Sequence, residues 1–168
     1  MTQSRSSFHV EQIHRFARLQ ITNTNLLHRR IIRKAARWFG SALLSKRLLK
    51  NIELTIYMNR TMPDKGECEC LDDNVAPRRF AIYLSTKQTI FCQLITLAHE
   101  IVHLKQFATN QLFDYANDNN LTRWNKSIIN VNDFAYRDLP WEKEAYKLQR
   151  PLTRSYKQWL KENEIPLE

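Results

Sequence analysis

Three residues in one short run could do hydrolytic chemistry: His99, Glu100 and His103, within Thr96-Leu97-Ala98-His99-Glu100-Ile101-Val102-His103-Leu104. Spaced four apart, the two histidines project from one face of an α-helix, one turn apart. Two imidazoles so placed can bind a single Zn²⁺ at about 2.0–2.1 Å each. Glu100, between them in sequence and off the metal, can take a proton from a water that the metal activates. The surrounding run is strongly apolar: Ile90, Phe91, Leu94, Ile95, Leu97, Ala98, Ile101, Val102 and Leu104. It reads as a mostly buried helix. Polar groups inside it need partners, because an unsatisfied buried polar group is costly. One metal ion satisfies both rings at once. The plainer reading is a core helix with two solvent-facing histidines at its end. Lys105 lies past the second ligand and does not threaten the site.

Two imidazoles and a water leave a tetrahedral zinc one ligand short, and catalytic sites usually supply three from the protein. No histidine follows His103, and positions 106 and 109 are Gln and Thr, so a third histidine is excluded. A carboxylate is required. The best source is Leu139-Pro140-Trp141-Glu142-Lys143-Glu144-Ala145-Tyr146, where Asp138 and Pro140 mark a helix start. Glu142 and Glu144 lie about 200° apart on a helix and cannot both face one metal. Glu142 shares a face with Ala145, Tyr146 and Gln149, and the small Ala145 lets this helix approach the metal helix closely. Glu142 is therefore preferred, with Glu144 the alternative, pointing to solvent or to a contact behind the ligands. The plain reading of either is a solvated charge paired with Lys147. Tyr136 and Tyr115 are candidates to hold an oxyanion, though the plainer reading of each is a packing or surface residue.

The pairing of Leu97-Ala98-His99-Glu100-Ile101-Val102-His103 with Pro140-Trp141-Glu142-Lys143-Glu144-Ala145 resembles the small zincin metallopeptidases of gluzincin type found in phages and bacteria. More distantly it is similar to ImmA/IrrE-like and SprT-like proteins. The Glu142-x-x-Ala145 spacing matches the gluzincin third-ligand motif. Tyr146 stands where an Asp or Asn often follows that alanine. The third histidine common in SprT-like enzymes is lacking. The resemblance covers roughly residues 53–148. It implies an α+β, minimal zincin-like fold with one Zn²⁺ per chain, held by His99, His103 and Glu142. It further implies that Glu100 acts as general base in cleaving a protein or peptide substrate.

Composition narrows the alternatives. Among 168 residues, 43% are hydrophobic, enough for the core of one compact domain, and only Gly40 and Gly66 are glycine. A G-x-S-x-G elbow and a glycine-rich phosphate loop are therefore excluded. The net charge of +9 is concentrated: residues 1–50 carry eleven Lys/Arg against Glu11 alone, while residues 51–168 are close to neutral. This segment could meet nucleic acid or an acidic partner, or be a solvated face. Only Trp38 lies in it among the tryptophans, so no aromatic ladder for stacking bases is expected. Cys68, Cys70 and Cys92 make an odd count with no framework spacing, which predicts reduced thiols in a cytoplasm-like compartment, the host's for a viral protein. Cys68-x-Cys70 lacks a second pair to complete a metal site and reads as buried thiols. No secretory signal or membrane span is expected.

The remaining pattern predicts the elements that must position the site. Helices are expected over Phe8–Ile21, Asn25–Phe39, where Gly40 punctuates, and Ala42–Lys50, forming a basic helical segment over 1–50. Strands are expected at Glu53–Met58, Glu67–Leu71 and Phe80–Ser85, a small three-stranded sheet packed on the metal helix. Met1–Ser7 reads as frayed, and Asp72–Pro77 as a loop. Ala108–Asn132 reads as a long irregular excursion with a helical turn at Gln111–Ala116. Pro151 is expected to end the third-ligand helix. The site belongs to residues 51–168. A strand beside it could pair with an extended peptide. The second function class is a nucleic-acid-binding or adaptor protein with structural zinc, and the two combine as a protease of DNA-bound proteins.

Overall fold

The computed structural model describes residues 7–72, 75–115 and 120–167. Most of the stretch expected to fray, two residues of the expected loop after Leu71 and Ala116–Asn119 of the expected excursion lie outside these. The architecture is α+β: a four-stranded mixed sheet, a three-stranded antiparallel sheet and four helices.

The first segment departs from expectation. Helical period over Phe8–Ile21 does not produce a helix; residues 18–22 form strand β1 (Arg18–Thr22). The backbone donors before it find partners far along the chain: Phe8 N–H on Ser155 Oγ, His14 N–H on Ser41 Oγ, Ala17 N–H on the Leu49 carbonyl. Those bonds and the parallel ladder to the next strand replace a local helical ladder. Tertiary pairing outweighs weak local propensity here.

Helix α1 (Leu26–Leu43) starts where Asn25 accepts from the His28 N–H, a cap worth about 1 kcal/mol. It runs through Gly40 rather than stopping there. A Cβ on Gly40 would sit 2.8 Å from the Phe16 ring, so this glycine is a packing notch. The third expected helix shrinks to α2 (Lys46–Leu49), capped by Ser45.

Strands β2 (Glu53–Asn59), β3 (Gly66–Cys70) and β4 (Arg79–Ser85) lie close to their expected positions. The sheet has four strands rather than three, in the order β1-β2-β4-β3, because β1 joins it. β1, β2 and β4 are mutually parallel, which requires the helical crossover between β1 and β2, and β3 runs antiparallel on β4. Ile21, Leu54, Ile56, Met58, Phe80, Ile82 and Leu84 are buried along the sheet. Each such residue contributes roughly 1.5–3 kcal/mol by leaving water. Trp38, Phe39 and Tyr156, all fully buried, pack edge-on or tilted at 5.4–5.8 Å between ring centres.

Helix α3 (Ile90–Ala108) carries the histidines. The excursion that follows is not irregular: β5 (Leu112–Asp114), β6 (Leu121–Trp124) and β7 (Ser127–Asn130) form the second sheet, and β5 replaces the expected helical turn. Asn125, at φ 55° in the tight β6–β7 turn, is the local signal for this hairpin. Helix α4 (Pro140–Glu162) begins with Pro140 and continues through Pro151. An interior proline costs about 3 kcal/mol. Burial of Leu152, Tyr156 and Leu160 beyond it, at roughly 1.5–3 kcal/mol each, is the larger effect. Among the described residues no helix is long and apolar enough to cross a membrane.

Candidate metal centre

α3 is capped by Thr89, whose side chain accepts from the Cys92 N–H. Leu94, Leu97, Ala98, Ile101, Val102 and Leu104 anchor it in the core. That burial fixes the helix and so fixes what its remaining face presents. On that face His99, Glu100 and His103 are all buried, with 8%, 5% and 8% exposure. The imidazole rings stand 4.7 Å apart edge to face, and their Nε2 atoms are 3.0 Å apart.

α4 packs along α3 and brings a carboxylate to the pair. Trp141 buries beside Leu112 and Leu139, and Ala145 is fully buried at the helix contact. Glu142, only 2% exposed, places Oε2 3.3 Å from His99 Nε2 and Oε1 3.2 Å from His103 Nε2. Ligand atoms of His99, His103 and Glu142 all lie within 4.8 Å of one another, so the three could hold one metal ion. Ligands 2.0–2.1 Å from a tetrahedral ion stand about 3.3 Å from each other. The observed 3.0–3.3 Å separations fit that spacing.

Two glutamines sharpen the fit. His103 Nδ1 faces Gln106 Oε1 at 2.8 Å, and His99 Nδ1 faces Gln149 Oε1 at 3.1 Å. The Gln106 amide nitrogen is committed elsewhere, donating to the Trp141 carbonyl and to Glu144 Oε2. Its other atom is therefore the oxygen, and His103 Nδ1 must donate. In the neutral rings this leaves both Nε2 lone pairs aimed at each other and at a carboxylate. Such a convergence needs a cation at its middle: a proton on a ring or a metal ion. Buried Glu142 Oε2 makes no hydrogen bond of its own, a further acceptor awaiting a partner. Without a metal the proton is favoured: burial opposes charge on His103, but its bond to Glu142 and the charges of Glu100 and Glu142 raise its pKa. Burial likewise opposes charge on Glu142, yet the His103 and His99 rings that face it, when protonated, hold its pKa down to about 2.

Glu144 is not at the triad. It pairs with Lys105 Nζ at 3.1 Å and accepts from Gln106 Nε2 at 2.8 Å. It thus sits behind the ligands, holding the residue that orients His103. Lys105 also donates to Gln111.

Glu100 has a raised pKa of about 7: burial is the main cause, opposed by the His103 and His99 charges and reinforced by Glu142 and Glu67. β3 forms the wall beside it. A Cβ on Gly66 would sit 2.8 Å from Glu100 Oε1 and 2.4 Å from Thr96 Cγ2, so the strand backbone approaches as only glycine permits. β3 is an edge strand. Bonds from Ser85 N–H to Lys65 and from Leu71 N–H to Arg79 set its ladder parity. Gly66, Cys68 and Cys70 therefore turn their amides and carbonyls away from β4. The thiols of Cys68 and Cys70 are free.

Tyr136 projects from the 3-10 turn Tyr136–Asp138 with its side chain mostly exposed, and partial burial of the hydroxyl first, then the influence of Glu142, raises its pKa. Tyr115 packs edge-on against Phe113, and no described contact joins it to the triad. Tyr146 lies 4.8 Å from the His99 ring with the Arg137 guanidinium over its other side. Gln106, Gln149, Gly66 and Tyr146 carry no role from sequence reasoning. The spacing of Gln106, three residues after His103, and Gln149, seven after Glu142, was the available signal. Comparison of the chain with protein-family models, with curated proteins and with solved structures finds no match in any of the three.

Proposed function

We propose that this protein is a zinc-dependent metallopeptidase of minimal zincin-like architecture. The observation that carries this reading is the convergence of two inward-facing imidazoles and one carboxylate beside a buried glutamate that binds none of them. His99, His103 and Glu142 would hold the ion. A nitrogen–oxygen donor set of this size suits zinc, with a fourth position left open. When bound, zinc supplies Lewis acidity toward a peptide carbonyl and lowers the pKa of a coordinated water to about 7.

The chain's own residues do the rest. Glu100 accepts the proton of the attacking water and returns it to the leaving amine. Gln106 and Gln149 keep each imidazole turned with Nε2 inward. Tyr136, an exposed phenol whose hydroxyl is influenced by Glu142, would donate to a developing oxyanion. The outward amides and carbonyls of Gly66, Cys68 and Cys70 can pair with an extended peptide, laying its backbone past Glu100. Glu142 is the ligand in this reading and Glu144 its support.

The test is Glu100→Gln, assayed on unfolded protein substrates with metal content measured in parallel. Hydrolysis falls by roughly 10²–10⁴-fold while one zinc per chain is retained. Activity surviving the substitution would sink the general-base role. Full zinc occupancy with no hydrolysis by the unaltered protein would leave a structural metal site instead.

A further inference from the structure

The basic character of the first fifty residues is not used by the metal centre. Within it, α1 carries Arg29, Arg33 and Arg37 at successive four-residue steps, about 6 Å apart along the axis. Like charges at this spacing oppose the helix. Nothing offsets them: among the described residues, no lysine or arginine before position 51 forms an ion pair. The pKa of Arg37 is lowered, first by burial and then by the charges of Arg15 and Arg33. The guanidinium groups share one uncompensated field.

A groove lies beside them. Leu19, Gln20, Ile21, Thr22 and Asn23, with Arg29 and Arg33, line an open cavity of about 450 Å³ along the sheet edge formed by β1. Thr22 Oγ1, Arg29 Nε and Arg37 Nε are buried atoms with no hydrogen-bond partner. The bond recorded for the Arg29 guanidinium is a long one, 3.3 Å to the Thr24 carbonyl. The side chains that line the groove include two arginines and no acid. Its complement is an anion with several oxygens, repeated along a chain.

We infer that the groove between β1 and α1 binds the phosphodiester backbone of a nucleic acid, with Arg29 and Arg33 in the groove and Arg37 one turn beyond it on successive phosphates. A single phosphate would engage one member of the stripe, whereas a polymer engages all three. An acidic peptide would need a run of Asp or Glu in register, while every nucleotide carries its own charge. Base reading is not part of the site, because Trp38 is fully buried and phosphate contacts carry no sequence information. β1 and β3 are opposite edges of the sheet, three strand steps or about 14 Å apart. Binding here is independent of the metal triad and of the hydrolase reading.

The test uses the full chain carrying Glu100→Gln and follows fluorescence anisotropy of a short labelled single strand and its duplex across a sodium chloride series. Three phosphate contacts predict log–log slopes of about −2 for the single strand and about −3 for the duplex. Arg33→Gln alone, at a side chain with no recorded hydrogen bond, flattens the slope by about 0.7–0.9. The triple variant Arg29→Gln, Arg33→Gln, Arg37→Gln removes most binding. A matched triple of equal charge change elsewhere, Arg79→Gln, Arg154→Gln, Lys161→Gln, retains it. Equal losses in the two triples, a slope near zero, or tighter capture of poly-glutamate than of either nucleic acid overturns the inference.

Discussion

Gly66 stands so close to Glu100 that no side chain fits between them. A single added carbon on Gly66 would lie 2.8 Å from Glu100 Oε1 and 3.2 Å from its Cγ. The edge strand therefore sets the position of the carboxylate, and the absence of a side chain at 66 is what lets it do so.

Gly66→Ala follows directly. The new methyl displaces Glu100 or Thr96, and overpacking of this kind costs about 1–3 kcal/mol. A misplacement near 1 Å can lower turnover on the order of a hundredfold. Metal content should stay near one per chain, since His99, His103 and Glu142 are untouched. Peptide hydrolysis and elemental analysis on the same sample check this. Unchanged hydrolysis would show that Glu100 tolerates the shift.

The two glutamates of α4 should separate cleanly. Glu142→Ala removes an atom set 3.2–3.3 Å from both imidazoles, and zinc occupancy collapses. Glu144→Ala only frees Gln106 and Lys105, and zinc is retained with weakened affinity. Chelation of the unaltered protein lowers its melting temperature, because an ion at a hundredfold its Kd stabilises by about 2.7 kcal/mol. The same chelator leaves Glu142→Ala unmoved. Full zinc in Glu142→Ala would remove it from the ligand set.

Gln106→Leu acts one step away from the ion. It deprives His103 Nδ1 of its acceptor at 2.8 Å and leaves that ring free to turn. Losing such an orienting partner typically weakens metal binding 10–100-fold. Competition titration against a zinc indicator reads the change.

Thiol reactivity carries a sign set by burial. The Cys70 pKa is pushed up to about 12, by burial first and then by Asp114, Asp72 and Glu69. Cys68 is raised well above its usual value by burial and by Glu100. Cys92 is exposed. Since the thiolate is the nucleophile, a disulfide reagent near pH 8 should titrate one fast thiol per chain, at Cys92. Reactivity at Cys70 should rise tenfold per pH unit toward its pKa. Two or three equally fast thiols would contradict this packing of β3.

The triad that could hold a metal ion was legible because its information is local. His99 and His103 need only one helix, and an apolar run of this length forms one wherever it is buried. Glu142 over Glu144 followed from angular position on a second helix, with Ala145 marking the face that packs. Three of the strands were legible for the same reason, since alternation over five to seven residues is a property of the segment itself. What the tertiary structure decided is what depends on distant partners. Phe8–Ile21 has a helical period, but its amides are claimed by Ser155, Ser41 and Leu49 and its end by β2. Pro151 reads as a stop, but the burial of Leu152, Tyr156 and Leu160 outweighs its cost. Gly40 reads as punctuation, yet it and Gly66 serve as points of close approach, to Phe16 and Glu100 respectively. Local spacing determines which side chains share a face; only packing decides which surface that face meets, because burial and long-range hydrogen bonds together exceed any single residue's preference.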